Sequence, residues 1–325
     1  MQQTNAKGGA VVIINANTGK IEALASVGPT IDEAAEFEPN YNRAVNPQHE
    51  LGSVMAIFPI AQALDQDLIT EESTIDTPPV LTYGRYRIRD FTEFQAQTTA
   101  MDIFVNRSNI GVAQLGKMIG RDRQQDFLED LGFYAPNNLE ARYTIEPSSN
   151  SSNLENDSNA LDSTVLGMTI AYGNGIIVSP LHLASAYATM VNGGYQVEPS
   201  FHVRKQNQRS IISEETSSYL RLMLRQVVQE GMGVFADAKG FEVGGTGGTA
   251  YMSLPQGYYS EEATVATFAA VFPMSNPEYV VVTMLENPEY EARGETRRSS
   301  VWTAAPLAGD IIYQVGPMLL GLNGS

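Results

Sequence analysis

Two β-rich hairpin patterns, one near each end of a 325-residue chain, restrict the available folds more than any other feature. GGAVVIINANTGKIEALASV carries two strand-like runs around the turn formers Asn17, Thr18 and Gly19, which reads as an antiparallel hairpin. TVATFAAVFPMSNPEYVVVTMLE repeats the arrangement, with Ser275, Asn276 and Pro277 at the turn. Most of the chain between them reads as helix. SVMAIFPIAQALDQ has the apolar spacing of a buried helix, in which Pro59 should cause a kink or a lost backbone hydrogen bond. SPLHLASAYATMVNGG offers Ser179 as a cap, Pro180 at the first helical position and glycines as the stop. A last helix falls within TAAPLAGDIIYQVGPMLLGL, and the polar stretch of residues 146–163 reads as an exposed loop. Strands at both ends with helices between them predict one α+β domain over residues 1–325. Its antiparallel sheet would come from the N- and C-terminal segments, flanked by helices, with an all-helical part over roughly residues 55–235.

Charge and composition then remove several functions. With 37 acidic and 20 basic residues the formal charge is −17, which repels phosphate backbones and argues against a nucleic-acid partner. The absence of cysteine excludes disulfides, thiolate metal sites and thiol catalysis. His49, His182 and His202 are scattered without metal-ligand spacing, so neither a metal nor a cofactor is expected. GGTGGT lacks the G-K-[ST] ending of a phosphate loop. Its small residues suit a strand that a neighbouring helix or peptide approaches closely. No apolar run is long enough to span a membrane, and MQQTNAKGG does not read as a secretory signal.

Six landmarks in a fixed order carry a family resemblance: GAVVIINANTGKIEALAS, NRAVNPQHELGS, RSNIGVAQLG, YGNGIIVSPLHLASAYATMVNGG, VGGTGGTA and FAAVFPMSNPEYVVVTMLENP. Together they resemble the transpeptidase domain of class B penicillin-binding proteins, which cross-link peptidoglycan outside the cytoplasmic membrane. The resemblance implies the fold shared by penicillin-binding transpeptidases and serine β-lactamases. It also implies a periplasmic location, tethered to the cytoplasmic membrane through an anchor that these residues do not include.

Active members of the family use S-x-x-K, S-x-N and K-T-G. Matching the first motif places Ser53 at the nucleophile and Ala56 at the lysine. In the second, Arg107 stands at the first serine, Ser108 is the middle residue and Asn109 is retained. In the third, Thr246 replaces the lysine and Gly247 the threonine, while Gly248 and Thr249 are kept. A serine hydroxyl needs a positioned base, and alanine has no titratable atom. Loss of general base catalysis costs roughly 10²–10⁴-fold. Backbone N–H groups of Ser53 and Thr249 could still form an oxyanion hole, but such donors cannot deprotonate a hydroxyl.

The resemblance and these deficits together predict a catalytically degenerate transpeptidase domain, acting as a scaffold or regulator with cell-wall or division proteins. One alternative is an active enzyme with a substitute base such as Lys239, seven residues before Thr246. Another is a module that binds a peptidoglycan stem peptide non-covalently, with Arg107 gripping a carboxylate. Each singled-out residue also has a structural reading. Ser53 would cap a helix, Asn109 would be a satisfied buried link between helices and sheet, and Arg107 would bridge the cleft through a salt bridge.

Overall fold

The computed structural model describes residues 2–28, 42–46, 49–134, 137–139, 143–145, 149–150, 160–204, 209–253 and 259–322. The first hairpin forms as predicted from β1 (Gly8–Asn15) and β2 (Ile21–Val27). Its turn is held by Asn15, whose Oδ1 accepts from the backbone N–H groups of Asn17 at 3.0 Å and Thr18 at 2.9 Å. Gly19 closes the turn with φ 67°, a left-handed conformation that glycine adopts without steric cost. The C-terminal half supplies β3 (Gly244–Ser253), β4 (Tyr259–Phe272) and β5 (Tyr279–Glu286).

These five strands form one antiparallel sheet in the order β3-β4-β5-β1-β2. The two ends of the chain meet where β1 pairs with β5, with Gly8 opposite Glu286 and Asn15 opposite Tyr279. Every residue of β5 is buried, which explains its unbroken apolar sequence. Val280, Val282 and Met284 face the larger core, whereas Val281 faces a smaller one with Phe268 and Ile312.

Among the described residues eight α-helices cover and extend this sheet: α1 (Ile57–Asp65), α2 (Ala100–Val105), α3 (Asn109–Ile119), α4 (Arg121–Asp130), α5 (Ala160–Ala171), α6 (Pro180–Val191), α7 (Glu214–Gln229) and α8 (Ala304–Leu319). Helix α8 packs on the face of the smaller core. Helix α6, buried along its whole length, lies on the opposite face against β1 and β5. Its start follows the sequence signals: Ser179 Oγ accepts from the His182 N–H at 3.2 Å, and Pro180 opens the helix.

Three expectations need correction. The part expected to be all-helical over roughly residues 55–235 also holds short antiparallel pairs of strands, among them Thr74–Asp76 with Gln97–Thr99 and Leu81–Tyr83 with Tyr86–Ile88. The helix expected from Ser53 begins as a 3₁₀ stretch, Gly52–Ala56, and becomes α-helical only at Ile57. Pro59 therefore lies in the first α-helical turn, where a missing N–H leaves no intrahelical bond unmade. The polar loop expected over residues 146–163 is also shorter. Ser149–Asn150 pairs with Ile176–Ile177 and α5 begins at Ala160, while residues 146–148 and 151–159 lie outside the described residues.

Candidate functional site

Ser53 sits where the 3₁₀ stretch meets the edge strand β3. The two backbones touch because glycines allow it. A Cβ on Gly248 would collide with Leu51 O and stand 2.7 Å from Val54 N, and one on Gly52 would stand 2.8 Å from Thr249 O. Gly52 has φ 68°, and its N–H donates to Gly173 O at 3.1 Å. The close approach expected of GGTGGT is thus made by the Ser53 turn itself. Ser53 caps nothing: Leu51 occupies the cap position and no side chain bonds there. The hydroxyl of Ser53 instead lies 3.5 Å from Asn109 Oδ1, at the long limit of a hydrogen bond. Asn109 accordingly meets the Ser53 turn rather than linking the helices to the sheet.

The α2–α3 junction supplies the opposite wall. Ser108 is the N-cap of α3, accepting from the Gly111 N–H at 2.9 Å and donating to Asp90 Oδ2 at 2.7 Å. Asp90 Oδ1 also accepts from the Ile110 N–H at 3.0 Å, so the helix start is doubly satisfied. Arg107 precedes it with φ 63°, a costly conformation for a residue with a β-carbon. Its Nε is buried and has no hydrogen-bond partner. Among the described residues no ion pair involves Arg107, so the expected salt bridge does not form. Burial pushes its pKa down to about 10, and the nearby Tyr187 phenol opposes that fall. The guanidinium remains protonated at neutral pH and cannot act as a base. Tyr187 is fully buried and donates to Val54 O, which places this cation beside the Ser53 turn.

Ser53, Arg107 and Thr249 line one cleft of ≈ 480 Å³. Its other walls include Phe91, Met232, Thr264, Arg298 and Val301. Sequence reading missed these residues, which come from segments far apart in the chain and carry no shared motif. Thr264 Oγ1 and Arg298 Nε are, like Arg107 Nε, buried without a partner. Arg298 nevertheless pairs through Nη2 with Glu289 Oε1 at 2.8 Å. Thr249 Oγ1 accepts from the Ser300 N–H at 3.0 Å, tying β3 to the segment that precedes α8. Thr246 and Ala56 are buried and do not line the cleft. Gly247 lies against Ser300, where an added Cβ would stand 2.6 Å from Oγ. Lys239 is exposed and likewise lies off the cleft.

Behind the Ser53 turn the polar groups are paired. Glu286 accepts from Arg43 Nε at 2.8 Å, and its second oxygen lies 3.2 Å from His49 Nε2. Burial raises the Glu286 pKa, but the bonds from His49 and Arg43 outweigh it and hold the carboxyl below its ordinary value. The neighbouring Glu50 is buried, with Oε1 accepting from the Gly175 N–H and the Tyr259 hydroxyl, each at 2.8 Å. No group of three or more His, Cys, Asp or Glu able to hold a metal occurs among the described residues.

The family model of the penicillin binding protein transpeptidase domain matches residues 9–312. The chain belongs to that family. A relative described as a probable peptidoglycan D,D-transpeptidase FtsI, from Caulobacter vibrioides, is 30% identical over 96% of this transpeptidase domain and 54% of its own length. Stage V sporulation protein D of Bacillus subtilis is 28% identical over 95% of this chain and 49% of its own. The transpeptidase domain thus spans about half the length of these relatives. The apo transpeptidase domain of penicillin-binding protein 3 from Burkholderia pseudomallei superposes with a TM-score of 0.80 at 24% identity, covering 98% of this chain and 89% of that one. This likeness shows the fold, an α+β arrangement of antiparallel sheet and helices, as expected from the sequence.

Proposed function

We propose that this transpeptidase domain has lost its reaction and acts as a scaffold or regulator in peptidoglycan synthesis or cell division. Its place would be the periplasm, tethered through an anchor elsewhere in a longer protein, with cell-wall or division proteins as partners. Family membership and the descriptions of the relatives support the setting. The single observation that carries the loss of reaction is at Ser53. Its hydroxyl contacts an amide oxygen at 3.5 Å, and no amine or carboxylate hydrogen-bonds to it among the described residues. An amide oxygen cannot take a proton at neutral pH, so the hydroxyl stays a poor nucleophile. Ser53 and Thr249 line the same cleft, which is compatible with a remaining oxyanion hole, but that does not supply a base. The alternative base Lys239 is disfavoured by its position off the cleft.

Incubation with a fluorescent penicillin followed by intact-mass measurement tests this reading. No adduct is expected, and a stoichiometric acyl group on Ser53 would refute it. A variant carrying Ala56→Lys, Arg107→Ser and Thr246→Lys together should regain some acylation. The same reading treats residues 1–325 as one cooperative unit, for which urea unfolding followed by two probes should give coincident transitions.

A further inference from the structure

A second cavity of similar size lies away from Ser53, between the 3₁₀ turn Gln2–Thr4 and the start of α8. It measures ≈ 460 Å³ and shares no lining residue with the Ser53 cleft. Phe235, Tyr290 and Trp302 reach it from three separate segments, and Phe235 is 47% exposed and Tyr290 38%. Exposed aromatic surface gathered in a concavity marks a binding site rather than a core. The polar groups on its wall are also unmet. Among the described residues the side chains of Gln3, Tyr290 and Trp302 make no hydrogen bond. Thr4, only 8% exposed, has an Oγ1 without a partner, which is costly for a buried hydroxyl.

Charge limits what can fill this pocket. No charged side chain lines it, although the chain carries 37 acidic and 20 basic residues. The ions nearest to it in sequence neutralise one another: Arg297 pairs with Glu295 at 2.7 Å, and Arg298 with Glu289 at 2.8 Å. An ionic ligand would lose its hydration and find no counter-ion, whereas an uncharged one escapes that cost.

We propose that this pocket docks an uncharged, proline-rich segment of a partner protein, with Phe235, Tyr290 and Trp302 as its aromatic wall. A prolyl residue has a carbonyl but no N–H, so a proline run offers acceptors and brings few donors of its own to satisfy. The pocket supplies the donors: the Trp302 indole N–H can only donate, and Gln3, Thr4 and Tyr290 can donate too. Shape points the same way. The Phe235 and Trp302 rings lie 5.0 Å apart at 41°, and the Arg297 guanidinium sits 4.4 Å over the Trp302 ring. The wall is therefore ridged, with part of the indole face already covered, which suits pyrrolidine edges better than the flat stacking a sugar ring needs. A polyproline helix is also ordered before it binds, so little conformational entropy is lost on docking. The assignment stands whether or not Ser53 has lost its reaction, because the two cavities are lined by different residues.

Trp302 is the chain's single tryptophan, so its emission reports on this pocket without any substitution. The test titrates the whole chain with acetyl-Gly-Pro-Pro-Leu-Pro-Pro-Leu-Pro-Pro-Gly-amide, with the analogue carrying alanine for every proline, and with chitotriose. The proline peptide should change the Trp302 emission saturably, with a Kd below about 1 mM, and the alanine analogue should bind at least about tenfold more weakly. Phe235→Ala and Tyr290→Ala, followed by anisotropy of the fluorescein-labelled peptide, should each weaken binding by about fivefold or more. Tyr251→Ser, in the Ser53 cleft, should leave it unchanged. If Phe235→Ala lowers the melting temperature, Tyr290→Ala decides, since Tyr290 lies on the exposed short strand Tyr290–Ala292. Equal binding of the two peptides, or no saturable response to either, would overturn the proposal. A saturable response to chitotriose alone would overturn it in favour of a sugar. Binding lost by Tyr251→Ser but kept by Tyr290→Ala would do so as well, by moving the peptide to the other cavity.

Discussion

Behind the segment that carries Ser53, Glu286 accepts from Arg43 at 2.8 Å and lies 3.2 Å from His49; in front of it, Arg107 has a buried Nε without an acceptor. Both regions bring charge out of water, but only the first satisfies it internally. A buried ion pair that is fully hydrogen-bonded locks elements together, and removing one partner strands the other. Arg107 is half-buried and makes no ion pair among the described residues, so it does not lock elements together in this way. The comparison therefore separates what holds the cleft in shape from what faces into it.

The largest effect should come from breaking the paired side. Glu286→Ala removes the acceptor of Arg43 Nε, in a side chain only 4% exposed, and is expected to cost about 3–5 kcal/mol in urea unfolding. A loss below about 1 kcal/mol would mean that water reaches the pair. The same carboxylate gives a pH signature. Its folded pKa lies below the ordinary 4.5, so its contribution is present above pH 4.5 and is lost as pH falls through the folded value. Glu286→Gln should remove this acid-side dependence, which a pH series of melting temperatures would show.

Next comes the contact between the two backbones. Gly248→Ala pushes a methyl group into Leu51 O and should cost about 1–3 kcal/mol, with the melting temperature as readout. Ser108→Ala removes the cap of α3 and a bond to Asp90, for an expected loss of about 1–2 kcal/mol. Arg107→Met should be the mildest, neutral or slightly stabilising without ligand, because it deletes an unpaired charge rather than a pair. If it proved as damaging as Glu286→Ala, the contrast between the two regions would collapse.

Much of the fold was legible because its signals are local. Asn17, Thr18 and Gly19 mark the first turn, and Ser179 with Pro180 marks the start of α6, each acting within three or four residues. Ser53 was misread by the same logic. A serine before an apolar run resembles a cap, but the 3₁₀ start leaves its hydroxyl aimed at Asn109, 56 residues away. The Arg107 bridge failed for a related reason, since charge in a sequence gives no measure of which wall each partner will occupy. The Glu286–Arg43 pair, 243 residues apart, and the Phe91 and Thr264 walls of the cleft had no sequence signal.

The sequence by itself determined the hairpins at both ends, the main helices between them though not the short strands among those helices, and the absence of lysine at positions 56 and 246. Those follow from side-chain pattern and chemical identity, which need no knowledge of distant neighbours. Only the tertiary structure decided that Glu286 is paired, that Arg107 makes no ion pair among the described residues, and that Ser53 faces an open cleft. Pairing of buried charge depends on contacts between segments hundreds of residues apart, and those exist only once the sheet has joined the two ends of the chain.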